Sequence, residues 1–145
     1  MKYSKYFDLE ELVPPEIINQ FGEKSSMFLD PRTGPLLDEI RELVGRPITI
    51  NDWKQGGPFD ERGFRLPDAK TGGRLSQHKF GRGFDLEIEL DARIPSYEKF
   101  RDLIRANWHR LHPLGLSTIE KDTPTWLHID MRDTGMDHLY EVPFK

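Results

Sequence analysis

"LSQHKFGRGFDLEIEL", residues 75 to 90, decides how this chain is read. From Phe84 to Leu90 apolar and acidic residues alternate without a break. Side chains on a strand point to opposite faces in turn. The pattern therefore predicts a strand with Phe84, Leu86, Ile88 and Leu90 in a core and Asp85, Glu87 and Glu89 on the other face. His78, Gly81 and Gly83 come just before it. Glycine permits the sharp backbone turn needed to bring His78 and Asp85 onto one point.

The same parity recurs downstream. In "WLHIDM", residues 126 to 131, Leu127, Ile129 and Met131 face inward and Trp126, His128 and Asp130 outward. In "LSTIEKD", residues 116 to 122, Ile119 faces inward, Glu120 outward, and Asp122 lies just past the strand end. If these strands are neighbours, one sheet face collects Asp85, Glu120, His128 and Asp130, and the loop carrying His78 feeds onto it. An acidic outer face alone is the ordinary signature of a solvated sheet. Two imidazoles beside a carboxylate are a donor set for a metal ion, set against the commoner reading of packed or surface histidines. Trp126 on this face suits a pocket wall better than open water.

Around these strands the chain reads as a single domain spanning 1–145, long enough to bury a core. Asp8 and Glu11 stand at capping-box spacing, and "PEIINQF" opens a helix with proline in its first turn. Leu36, Leu37, Ile40, Leu43 and Val44 form a helical stripe closed by Gly45 and Pro47. "ITIN" reads as a short buried strand. Residues 54 to 75 are rich in glycine, proline and charge; a loop of that length in a small domain is either functional or disordered. Ser96 caps a helix bearing Tyr97, Phe100, Ile104 and Trp108. The tail from about residue 132 is polar and reads as irregular. The order of elements predicts an α+β domain, an antiparallel sheet with helices on one face and the site on the other.

Composition narrows the function. Net charge is −4 and the pI about 5.7, which argues against nucleic acid as a partner. There is no cysteine, so a metal here is held by histidine and carboxylate, and thiol catalysis is excluded. No apolar run approaches a membrane span, and "MKYSKYFDLEEL" does not read as a signal peptide, so synthesis in the cytoplasm as a monomer is the default expectation.

At its two histidine motifs the sequence resembles the zinc peptidases of the D-alanyl-D-alanine carboxypeptidase and L-alanyl-D-glutamate endolysin group, which share the Hedgehog/DD-peptidase fold. That group carries Ser-x-His-x-x-Gly-x-Ala-x-Asp; here Ser76 to Asp85 follow it, with Gly83 in place of alanine. Its late Trp-x-His is matched by Trp126-Leu127-His128. The Asp30-Pro31-Arg32 helix opening, the tryptophan- and arginine-containing segment "NDWKQGGPFDERGFR" and the order of elements over roughly residues 5 to 132 also resemble small bacteriophage members.

The resemblance implies Zn2+ held by His78, Asp85 and His128, and action on peptidoglycan stem peptides. It implies a phage or prophage enzyme that reaches the cell wall after release or as a virion component. It implies that Arg65, or else Arg62, binds a substrate carboxylate. Ser76 either positions substrate or caps the turn before His78, and Trp126 lines the substrate site. The sequence departs from the peptidases where their usual catalytic carboxylate stands, three residues before the last histidine: that position is Thr125. Asp122 occupies the place of the corresponding Hedgehog-domain carboxylate, and Glu120 is the second candidate by strand parity; Asp122 is the first choice as catalytic base. The substitution at Thr125 leaves an alternative open, a non-catalytic zinc-binding module of a phage particle. His109, His112 and His138 match no position of the group and read as surface or helix-end histidines.

Overall fold

The computed structural model describes residues 1–144. Helix α1, Pro15–Phe21, begins at its proline as expected. Before it, Asp8 and Glu11 form the capping box of a short 3-10 turn, Leu9–Glu11. Helix α2, Thr33–Val44, buries Leu36, Leu37, Ile40 and Val44 and stops at Gly45, whose left-handed φ of 70° releases the chain. Helix α3, Tyr97–Ala106, starts where the Ser96 hydroxyl accepts the Lys99 N–H. It ends at Asn107, so Trp108, expected on the same helix, begins a separate single turn, α4, Trp108–Leu111.

Among the described residues, four strands form one sheet in the order β1-β3-β2-β4. β1 (Gly83–Leu86) and β2 (Thr118–Glu120) both run antiparallel to β3 (Leu127–Asp130). Of the side chains read as inward, all but Leu90 turn inward. Phe84, Leu86, Ile119, Leu127 and Ile129 join Leu36, Ile40, Phe100 and Ile104 in one buried cluster. Burying each such side chain contributes about 1.5–3 kcal/mol.

Three expectations are corrected. The sheet is mixed rather than wholly antiparallel, because β4 (Tyr140–Val142) runs parallel to β2. That strand lies in the tail read as irregular; the Glu141 carboxylate, accepting from Arg105 on α3, helps hold it. Second, β1 ends at Leu86, and Leu90 is exposed. The Tyr97 hydroxyl bonds to both the N–H and the carbonyl of Ile88 and so takes the place of a neighbouring strand. Third, "ITIN" contributes only a bridge, in which Thr49 and Glu87 exchange backbone hydrogen bonds.

Candidate metal centre

The face of the sheet opposite the helices is covered, not solvated. The long loop folds across it and is pinned by backbone bonds: Asp85 N–H to the Arg62 carbonyl, Arg65 N–H to the His78 carbonyl, and Phe64 N–H to the Leu12 carbonyl. His78 sits in a 3-10 turn, Gln77–Phe80, whose start is capped by the Ser76 hydroxyl accepting the His78 N–H. Gly81 ends that turn with φ 69°. A Cβ there would lie 1.8 Å from the Phe28 carbonyl oxygen, so the position needs glycine for space as well as for conformation.

This places three donors together. Asp85 and His128 are direct cross-strand partners on β1 and β3. Asp85 Oδ1 lies 3.3 Å from His78 Nε2 and 3.0 Å from His128 Nδ1. One ligand atom from each residue falls within 4.8 Å of the others, and all three side chains are buried. Two ligand atoms on a tetrahedral zinc with bonds of about 2.0–2.1 Å stand roughly 3.3 Å apart. The group therefore has the right size for such an ion, and its two nitrogens and one carboxylate oxygen suit zinc chemically.

Each donor is also held from behind. His78 Nδ1 lies 2.9 Å from the Gly63 carbonyl, which fixes the hydrogen on Nδ1 and turns the Nε2 lone pair toward Asp85. His128 Nε2 lies 2.8 Å from Asp130 Oδ2. Arg65 reaches Asp85 Oδ2 at 3.4 Å. Burial lowers the affinity of His78 for a proton, with Asp85 opposing that effect. Burial pushes His128 in the same direction, but Asp130 and Asp85 outweigh it and raise its pKa to about 10. Asp85 is held well below the usual carboxylate range: burial opposes ionisation, and His78 and His128 more than offset it.

The centre opens onto a cleft of about 720 Å³ whose walls include Phe59, Glu120, Trp126, Arg132 and Phe144. Glu120 stands beside the three donors at the cleft, with Oε1 3.7 Å from His128 Nδ1. Burial raises its pKa. Trp126 lines the cleft as expected and meets Phe144 edge-on, with ring centroids 5.1 Å apart. Arg65 is buried at the cleft, donating to the Glu61 carbonyl and to Ser76 as well as to Asp85. Arg62 instead stacks on Phe59 and pairs with Glu87.

Asp122, the first choice as catalytic base, lies apart from this arrangement. β2 ends at Glu120, and the chain then turns outward, leaving Asp122 exposed with its carboxylate accepting the Phe144 N–H. Thr125 is exposed as well. Of the two readings of Ser76, the turn cap is what the hydrogen bond shows.

Several residues in or behind the cleft were not assigned a role from the sequence. Strand parity placed Asp130 on the site face, but nothing in its spacing revealed that its carboxylate meets His128. Arg132 and Phe144 fell in the tail read as irregular, and a backbone carbonyl such as that of Gly63 carries no sequence signal.

No protein-family model matches this chain, and neither a curated protein nor a solved structure does. Among the described residues no helix is long and apolar enough to cross a membrane. The functional reading therefore rests on the site's own chemistry and on the motif resemblance.

Proposed function

We propose that this chain is a zinc-dependent peptidase acting on peptidoglycan stem peptides, as a carboxypeptidase or endopeptidase of phage or prophage origin. The observation that carries the reading is the buried group His78–Asp85–His128 at the edge of a cleft that also holds a half-buried glutamate. The substrate class comes from the motif resemblance, and the reaction class from the geometry. When bound, a zinc ion polarises a carbonyl and provides a nucleophilic water at neutral pH.

The chain's own residues do the rest. Glu120 takes a proton at Oε1 and delivers it to the leaving amine; the burial that raises its pKa suits a group that must both accept and give. Arg65, fixed by Glu61 and Ser76, gives the cleft a buried positive charge beside Asp85 that a substrate carboxylate can meet. Trp126 and Phe144 form an apolar wall that displaces water from the bound peptide.

The test is release of new amino groups from purified peptidoglycan by zinc-loaded protein. Turnover that a chelator abolishes and zinc restores supports the peptidase. A fully zinc-loaded protein that releases none from walls of several stem-peptide types favours the non-catalytic module, the reading that Thr125 keeps in view.

A further inference from the structure

Asp130 is the most deeply buried carboxylate of the site, with no exposed surface. A buried charge needs partners, and Asp130 has two. Arg132 grips it with a two-pronged contact, Nε to Oδ1 at 2.8 Å and Nη2 to Oδ2 at 2.6 Å. His128 Nε2 faces Oδ2 at 2.8 Å. The strand makes this possible, because residues two apart point to the same face. Arg132 in turn lines the cleft and is partly exposed.

An imidazole can present either nitrogen to a metal, and the hydrogen bond made by the other nitrogen decides which. His78 and His128 are settled in opposite senses. A backbone carbonyl holds Nδ1 of His78 and leaves Nε2 inward; Asp130 holds Nε2 of His128 and leaves Nδ1 inward, toward Asp85 Oδ1.

We infer that Asp130, locked by Arg132, is a positioning residue that fixes the ring of His128 so that Nδ1 is its metal-binding atom. The inference rests on the metal-centre reading but not on peptidase activity. It makes the two histidines inequivalent: His78 binds through Nε2 and His128 through Nδ1. Carboxylates that orient a ligating histidine contribute about 10–100-fold to metal affinity.

The test has two arms, both on the whole chain loaded with zinc alone. Long-range proton–nitrogen NMR of the wild-type histidine rings reads which nitrogen bears the metal. The expected spectrum has His128 metallated at Nδ1 and protonated at Nε2, with His78 the reverse; His128 bound through Nε2 would overturn the inference. Zinc affinity is then measured by competition with a chromophoric chelator. Asp130→Asn should weaken binding about 10–100-fold, and Arg132→Gln severalfold in the same direction. A metal-free melting curve like wild type shows that the fold is intact. Affinity within about twofold of wild type in a folded Asp130→Asn would contradict the positioning role. If Asp130→Asn does not fold, Arg132→Gln and the wild-type spectrum decide. A wild-type protein that binds no zinc removes the metal centre and this inference with it. A zinc-loaded but inactive protein removes only the proposed peptidase.

Discussion

Glu120 and His128 stand side by side on adjacent strands, the glutamate Oε1 3.7 Å from the histidine Nδ1. The register explains the pairing. Thr118 faces Asp130 and Ile119 faces Ile129, so the next step along β2 brings Glu120 beside His128, while Asp85 flanks the same histidine from β1. Under the proposed function, Glu120 is therefore the carboxylate assigned to move protons at this site. Glu120→Gln should reduce peptidoglycan hydrolysis by about a hundredfold or more, with zinc content unchanged. Asp122→Asn, an exposed change, should stay within about threefold of wild type. The reverse ranking in an amino-group release assay would remove Glu120 from the role.

Metal removal should register in stability. Zinc at about 100 times its dissociation constant stabilises the folded state by roughly 2.7 kcal/mol. For a chain of this size that is about 5–11 °C in Tm. Differential scanning calorimetry with and without chelator reads the shift, and coincident curves for protein of verified zinc content would refute it.

The segment before β3 hangs on one buried arginine. Arg101 on α3 donates to both the carbonyl and the hydroxyl of Thr123, and that hydroxyl donates to the Trp126 carbonyl. Thr123→Val keeps the shape but removes the hydroxyl, leaving buried polar partners unmet. It should cost about 1–3 kcal/mol in urea denaturation. A stability within about 0.3 kcal/mol of wild type would show that water or a shifted Arg101 replaces the contact.

Glu10 predicts an acid limb of the stability curve. Burial raises its pKa from the ordinary 4.5, but Lys54 at 2.6 Å and the amino terminus at 2.8 Å more than offset this and lower it to about 2. A carboxylate with a depressed folded-state pKa adds stability that is complete above about pH 4.5. That stability is lost as pH falls toward 2. Both ammonium partners are partly exposed, so screening limits the contribution to about 1–2 kcal/mol. Glu10→Gln should flatten the fall in stability between pH 4.5 and 2 relative to wild type, and parallel curves for the two proteins would rule out the contribution.

The sheet face and its occupants were legible because parity is a local signal. Asp85, Glu120, His128 and Asp130 could be assigned to one face from their own strands, and the structure gathers them there. What parity does not encode is where a strand stops. Leu90 obeyed the alternation yet is exposed, because a hydroxyl from α3 satisfies Ile88 where a strand would have done so. Nor does it encode parallel pairing: β4 is only three residues long, and its partner, β2, lies some twenty residues earlier. The choice between Asp122 and Glu120 turned on the same limit. A motif resemblance favoured Asp122, whereas parity carried Glu120 onto the site face and the end of β2 left Asp122 outside it.

The most direct measurement of the central claim is the zinc content of wild-type protein and of His78→Ala, by elemental analysis after zinc loading and exhaustive dialysis. The account predicts about one zinc per wild-type chain and a near-complete loss in His78→Ala, since two remaining ligands seldom hold the ion. Less than about a tenth of an equivalent in wild type, or equal content in the two proteins, would contradict a centre built from His78, Asp85 and His128.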